Sequence, residues 1–300
     1  MNVLLTGHSG FLGNVLLTYL NVNCFVSTVS RHSGDYNIDL STTIPRFKEG
    51  FDLVIHAAGL TPEKATFKQN KAPIFEENVL CTNNLLSGLE LSKIPKMFCF
   101  ISSVAVYGAD EGVLINEDSE LKASSAYGIS KIQSEQLVLN WCKKNNVICT
   151  ILRLPLVVGS NPHGNLGSMI SGIKKGIYFN IAGGSTKKSM VLASDVAKYL
   201  LKASEIGGIY NLTDGYHPSF FELSEIISSQ LKKNTPKNLP FWLAKVLALI
   251  GDLFGGKAPF NSVKLCKITS DLTFDDSKAK ESFGWQPISV LEGFKISDNN

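Results

Sequence analysis

The 300-residue sequence has little excess charge: 29 lysines and arginines stand against 26 aspartates and glutamates, a net of +3. No basic patch follows from that balance, which argues against a nucleic-acid partner. The six cysteines, at positions 24, 81, 99, 142, 149 and 266, contain no C-x-x-C pair and no metal-ligand spacing. No metal site is therefore expected. Most of these cysteines lie inside apolar runs and read as buried thiols of a reducing compartment. The first residues lack a basic n-region, and their glycines suit a turn better than a signal peptide. Phe241 to Phe254 is the most apolar late stretch, but it is too short to span a bilayer and contains Lys245 and Asp252. It reads as a packed helix pair or a flap, so no membrane partner is expected and the chain reads as cytoplasmic. Internal repeats and low-complexity segments are also missing.

What is present is an alternation of strand and helix signals in a chain with 44% apolar residues. Asn2 to Leu5 reads as a buried strand. The turn Thr6-Gly7-His8-Ser9-Gly10-Phe11-Leu12-Gly13 follows, and Asn14 to Leu20 has helical apolar spacing. Gly7 would allow a sharp turn, Gly10 an approach of backbone to a pyrophosphate, and Gly13 close packing of helix on strand. Further strands are predicted at 24–30, 52–56, 97–102 and 147–154, with helices at 74–91 and 125–144. This pattern predicts an α/β fold: a Rossmann doubly wound parallel sheet with a smaller C-terminal substrate-binding lobe. Residues 1–158 are assigned to the dinucleotide-binding domain and 159–300 mainly to the lobe, with 189–215 returning to the first domain. Ligands of such sheets sit beyond the carboxyl ends of the strands.

The end of the second strand selects between dinucleotides. An acid there accepts from the ribose of NAD, and a base accommodates the extra phosphate of NADP. Here the chain has Ser30-Arg31 with no acid before Asp35, which favours NADP(H) over NAD(H), unless Arg31 is an ordinary surface charge. Asp39, followed by Leu40, would accept from the adenine amino group or cap the next turn. Tyr127 and Lys131 lie one helical turn apart on one face. An ammonium there lowers the pKa of a phenol, which at about 10 is otherwise too weak an acid for neutral pH. Ser103, at a strand end, would orient a carbonyl or alcohol oxygen against Tyr127. The trio suits proton transfer to a sugar oxygen while a nicotinamide carries hydride.

With these residues in place, the chain resembles the extended short-chain dehydrogenase/reductases, the nucleotide-sugar epimerase/dehydratase group. The N-terminal turn is similar to the T-G-x-x-G-F-x-G of that family, and His56-Ala57-Ala58-Gly59 to its H-x-A-A segment. Asn78 to Leu86 resembles N-V-x-G-T-x-N-L-L, with Cys81 where a glycine is usual. Ile101 to Gly108, with Ser102 and Ser103, resembles S-S-x-x-V-Y-G, and Tyr127 to Lys131 resembles Y-G-x-S-K. The resemblance implies Ser103, Tyr127 and Lys131 as catalytic residues. It implies a cofactor site of Gly7, Ser9, Gly10, Phe11, Leu12, Gly13, Arg31, Asp39, Leu40, Ala57, Ala58, Gly59, Asn78, Ser102, Tyr127, Lys131, Pro155 and Val157, the last two following Arg153-Leu154. Ser103, Asn165, Leu166 and Lys188 are implied to bind substrate, Lys188 standing where many members carry arginine. Asp195 resembles the aspartate of a D-V-A helix start, more modestly read as an N-cap.

Members that dehydrate sugars carry an Asp-Glu pair directly after the strand-end hydroxyl. This chain has Val104-Ala105, so the resemblance implies no 4,6-dehydration. It implies an NAD(P)-dependent enzyme acting on a UDP- or dTDP-linked sugar, in a homodimer. The tail from Pro259 through Asp276 to Pro287 is similar to enzymes that reduce UDP-linked 4-keto-6-deoxy-N-acetylhexosamines for surface polysaccharides, and with Arg31 favours that reading. The alternative is a UDP-hexose 4-epimerase, of UDP-glucose or UDP-GlcNAc type, with tightly held NAD. A non-catalytic dinucleotide-binding sensor or scaffold is a third reading, and such proteins typically lose the tyrosine or the lysine.

Overall fold

The computed structural model describes residues 1–61, 74–159, 164–254 and 260–296. Of the tail segment noted above, Pro259 lies outside the described residues. The chain begins with β1 (Asn2–Thr6), α1 (Phe11–Leu20), β2 (Phe25–Ser30), β3 (Tyr36–Asn37) and β4 (Leu53–His56). It continues through α2 (Ile74–Glu90), β5 (Met97–Ser103), β6 (Gly112–Ile115), α3 (Ala126–Asn145), β7 (Ile148–Leu154) and β8 (Leu156–Val158). Next come α4 (Gly164–Lys174), β9 (Asn180–Ile181), β10 (Met190–Leu192), α5 (Ala193–Ile206) and β11 (Gly208–Asn211). Among the described residues, seven strands form one sheet in the order β11-β7-β5-β4-β1-β2-β3, with every neighbouring pair parallel. The doubly wound parallel sheet expected from the alternation is therefore what the chain forms.

The strands are buried on both faces, and their pleat sorts the side chains by parity. Val3, Leu5, Leu53, Ile55, Cys99 and Ile101 face α1 and α5, where Leu16, Leu20, Val196 and Leu200 meet them. Leu4, Val54, Phe98, Phe100 and Ile151 face α2 and α3, against Leu85, Leu89, Val138 and Trp141. Each such fully buried large side chain contributes about 1.5–3 kcal/mol. Cys81 is accommodated in this second cluster, where burial pushes its thiol up to about 12.

The rest of the chain supplies α6 (Phe220–Gln230), β12 (Asn238–Leu239), α7 (Phe241–Leu253), α8 (Ser262–Thr269), β13 (Leu272–Phe274), α9 (Ser277–Phe283) and α10 (Val290–Gly293). Val158, Leu166, Met169, Ile170, Leu223, Ile227, Val290 and Phe294 build a separate core around α4, α6 and α10. The tail does not remain on that side. Ala279, Phe283 and Trp285 enter the α1/α5 face of the main sheet, and Trp285 Nε1 donates to the Thr213 carbonyl at 3.0 Å. Asp195 differs from the N-cap expectation. Leu192 occupies the cap of α5, and Asp195 lies one turn inside, accepting the Ile288 N–H at 2.8 Å. It fastens the tail rather than the helix start. The late apolar stretch forms one helix rather than a pair: α7 turns Ala244 and Ala248 against Leu265 of α8, which lies beyond it.

Candidate active site

The glycine turn between β1 and α1 is built by close approach. Gly7 has φ +77°, and a Cβ on it would lie 2.6 Å from the Ala57 carbonyl carbon and the Ala58 nitrogen. A Cβ on Gly13 would overlap the Gly7 carbonyl oxygen. The helix thus starts directly on the strand end, beside the Ala57-Ala58-Gly59 segment that leaves β4. Gly10 caps α1 without a side-chain acceptor, the arrangement in which the first N–H groups of a helix receive an anion. His8 Nδ1, buried in the turn, finds no hydrogen-bond partner among the described residues. A side-chain-free cradle with an orphaned polar atom fits the pyrophosphate of a dinucleotide. Ser9 is exposed beside it, and Phe11 and Leu12 are half-buried on the first turn of α1.

At the end of β2, Arg31 Nη1 donates to Glu77 Oε1 at 3.3 Å. Asp35, the first acid beyond it, is committed elsewhere: its carboxylate accepts the Thr28 N–H and hydroxyl, each at 2.8 Å. Those bonds from Thr28 hold the Asp35 carboxyl below its ordinary value. Asp39 accepts the Ser41 N–H at 3.0 Å and its hydroxyl at 2.6 Å, so of its two readings the turn cap is present here. Leu40 is buried under the sheet, and its carbonyl accepts from Asn84 Nδ2 at 2.8 Å.

A buried relay joins the strand ends. The Thr6 hydroxyl accepts the Ala58 N–H at 3.1 Å and lies 2.7 Å from His56 Nδ1, while His56 Nε2 lies 3.1 Å from the Thr82 hydroxyl. Thr82 donates its single proton to the Asn78 carbonyl at 3.0 Å, so His56 is assigned a protonated Nε2 and an Nδ1 that accepts from Thr6. Burial, then the neighbouring Lys131 charge, pushes the His56 pKa down to about 3, and the ring stays neutral. Asn78 accepts the Leu60 N–H at 2.7 Å and donates to Ser130 Oγ at 3.0 Å. Ser130 in turn donates to the Tyr127 carbonyl at 2.7 Å. Asn78 therefore locks the loop after β4 to the first turn of α3.

The proposed catalytic groups meet where β5 ends and α3 begins. Ser103 closes β5, and its Oγ accepts the Ala105 N–H at 3.2 Å. A Cβ on Gly128 would lie 2.6 Å from the Ala105 carbonyl oxygen, so the first turn of α3, carrying Tyr127, is seated on the segment following Ser103. Lys131 is buried, and its Nζ donates to the Ile101 carbonyl at 2.9 Å. Nζ lies 4.7 Å from the centre of the Phe100 ring and 6.0 Å from that of Tyr127. Burial lowers its pKa to about 8, against the opposing pull of Glu135. An ammonium so placed favours the phenolate of Tyr127. Gly59 borders the same group, since a Cβ there would lie 3.5 Å from Lys131 Nζ.

The Lys131 shift has a consequence for stability. Below pH about 8 both folded and unfolded chains carry its proton; between about 8 and 10.5 only the unfolded chain does. Stability attributable to Lys131 therefore rises with pH across that window, by on the order of 3 kcal/mol. Urea unfolding of the wild type and Lys131→Met at a series of pH values is expected to show the wild type gaining relative to the variant. A constant difference would refute the shift.

Beneath the site lies a network absent from the sequence expectations. Glu135, one turn beyond Lys131, takes a two-pronged bond from Arg153 of β7, Nε to Oε1 at 3.1 Å and Nη2 to Oε2 at 2.8 Å. Both side chains are buried. Glu135 also accepts from Ser102 Oγ at 2.5 Å, and Arg153 donates to Tyr107 Oη at 3.1 Å. Ser102, assigned to the cofactor, is thus occupied by this network. Spacing alone could have raised Glu135, since it shares the buried stripe of Lys131; its partner strand could not be inferred locally.

The remaining site residues are spread around this centre. Pro155 follows β7, and Val157 of β8 packs partly against the sheet core. Asn165 is exposed on α4, whereas the Leu166 side chain is committed to the core beside Met169 and Ile170. A substrate contact at Leu166 would therefore use its backbone. Lys188 is half-buried, its pKa lowered by burial against the attraction of Asp271 and Asp110.

The model of the NAD dependent epimerase/dehydratase family matches residues 3–213. The chain is 26% identical over 314 residues to the N-acetyl-alpha-D-glucosaminyl-diphospho-ditrans,octacis-undecaprenol 4-epimerase of Escherichia coli O157:H7, covering 97% of this chain and 92% of that protein. It is 27% identical over 320 residues to the UDP-glucose 4-epimerase of Vibrio cholerae, covering 98% and 93%. Its fold matches that of RMD from Pseudomonas aeruginosa complexed with NADPH, at a TM-score of 0.73 and 22% identity over 97% of this chain and 96% of that one.

Proposed function

The chain belongs to the NAD dependent epimerase/dehydratase family, and from that premise we propose that it is a nicotinamide-dependent oxidoreductase acting at C4 of a diphosphate-linked sugar. The reading rests chiefly on Lys131, a buried ammonium held 6.0 Å from the centre of the Tyr127 ring. When bound, the dinucleotide supplies or removes hydride at the sugar carbon. Tyr127 gives its phenolic proton to the oxygen of a 4-keto sugar as that carbon is reduced, and Lys131 stabilises the phenolate that results. Ser103 donates to the same oxygen and orients it. Val104 and Ala105 follow where sugar dehydration would need acids, so the chemistry stops at C4.

The favoured reaction is reduction of a UDP-linked 4-keto-6-deoxy-N-acetylhexosamine by NADPH. Arg31, and the commitment of Asp35 to Thr28, support that cofactor. Arg31→Asp is expected to lower the NADPH-to-NADH ratio of kcat/KM at least about tenfold. Unchanged selectivity would mean that Arg31 does not meet the phosphate. A second reading, 4-epimerisation with held NAD, is favoured by the names of the two relatives above. These also extend the sugar's carrier from a nucleotide to a polyprenol. Loss of reduced-nicotinamide absorbance with the keto sugar supports the reductase. Interconversion of UDP-hexose epimers, with NAD released on denaturation, supports the epimerase. Absence of both results with purified protein would refute C4 chemistry.

A further inference from the structure

Helix α7 is packed the wrong way round for a helix of a water-soluble surface. Its inward positions are small, Ala244, Ala248 and Gly251, while its large apolar side chains face out. Trp242 is 67% exposed, Leu253 85% and the following Phe254 70%, and Phe241, Val246, Leu247, Leu249 and Ile250 are exposed with them. Val263 at the start of α8 extends the surface. A contiguous apolar face of this kind marks a docking surface.

We propose that this face docks the protein on an anionic lipid bilayer, with α7 lying in the plane of the interface. Charge and geometry select that occupant. From Leu231 to Ser270 the sequence holds seven lysines, at 232, 233, 237, 245, 257, 264 and 267, against the single acid Asp252. Asp252 is turned to the start of α8, accepting the Ser262 N–H at 3.0 Å and its hydroxyl at 2.5 Å. The remainder of the chain therefore carries a net negative charge, and although Lys267 is paired with Asp110 at 2.9 Å, the excess of cations is concentrated in the sequence around the apolar helix pair. Lys245 lies one turn from both Phe241 and Leu249, so its stem runs along the apolar stripe while its ammonium reaches outward. Aromatic residues at the start of the helix, apolar residues along its face and lysines around it are the make-up of an interfacial helix. No helix among the described residues is long and apolar enough to cross a membrane, which leaves α7 on the surface of the bilayer rather than through it.

The docking face is also coupled to the substrate side. Helix α8 runs directly into Asp271, which accepts the Lys187 N–H at 2.7 Å and attracts Lys188, the lysine expected to bind substrate. Docking would present that lysine near the headgroup layer, where a sugar diphosphate on a lipid carrier is displayed. The proposal stands whichever C4 reaction the enzyme performs.

Vesicle flotation of the full chain tests it without substrate. Phosphatidylcholine vesicles with and without phosphatidylglycerol are compared, using the wild type and Trp242→Ser/Leu249→Ser/Leu253→Ser. The wild type is expected to float with the anionic vesicles at least about tenfold better than with neutral ones, and to be released by high salt. Trp141 and Trp285 are 7% and 1% exposed, so a blue shift on binding reports Trp242. The triple variant should keep its circular dichroism and dinucleotide binding yet remain in solution. Wild type that does not float, or a variant that floats equally, overturns the proposal. Self-association of the wild type that the variant abolishes, without flotation, assigns the face to a second copy instead. Turnover enters none of these readouts, so failure of the proposed reaction is separately visible.

Discussion

Tyr127→Phe is expected to reduce turnover by about 10²–10⁴-fold, the contribution of a positioned acid or base, while leaving dinucleotide binding nearly unchanged. The substitution removes one oxygen and keeps the ring beside Lys131. What secures the helix start is the Tyr127 carbonyl, bonded by Ser130 at 2.7 Å, and the Ser125 cap on the Gly128 N–H at 3.1 Å. None of these uses the phenol. Oxidation or consumption of reduced nicotinamide, measured beside calorimetric titration of the dinucleotide, separates chemistry from binding. Turnover close to wild type would refute the assignment of Tyr127 as proton donor and acceptor.

The largest expected loss of stability lies one layer deeper. Glu135→Leu leaves the Arg153 guanidinium buried without its carboxylate and deprives Ser102 of its acceptor. Removing one partner of a buried pair costs about 3–5 kcal/mol, because the surviving charge is left uncompensated. Replacing both, as Glu135→Leu/Arg153→Met, should recover most of that loss, since a buried pair and a packed apolar pair differ little. Urea unfolding of Glu135→Leu, Arg153→Met and the double variant reads the cycle. A single variant within about 1 kcal/mol of wild type would mean that water reaches the pair in solution. The same variant removes the carboxylate that raises the Lys131 pKa, so its activity should fall off at lower pH than that of the wild type.

How much was legible in advance follows the range of each interaction. The glycine turn is local: Gly7 and Gly13 are separated by a few residues and constrained by backbone contacts that no other residue tolerates. The one-turn spacing of Tyr127 and Lys131 is likewise fixed by the helix itself. β1 and β5 are unbroken apolar runs, as strands buried on both faces require, and their alternation with helical runs is why the sheet could be anticipated. The Glu135–Arg153 pair spans two elements, and nothing near either residue announces the other. A motif gives the position of Leu166 and Asp195 but not the direction of their side chains, which helical phase sends into a core and toward Ile288. For 241–254, the question posed to the sequence was whether the stretch could span a bilayer. Length answers that and says nothing about which face packs inward.

The tail gives the chain a particular order of assembly. Phe283 and Trp285 fill the same core as Val3 and Leu16, so a strand synthesised early is packed in part by residues synthesised much later. Until those residues emerge, the α1/α5 face is short of two aromatic side chains and of the Trp285 bond to Thr213. Closing that gap joins segments separated by almost the whole chain, a contact made late and at high entropic cost. The completed nucleotide fold is therefore a property of a chain that includes this tail rather than of its nascent first half, and a ribosome that stalls before the tail leaves a partly exposed sheet for chaperones to shield.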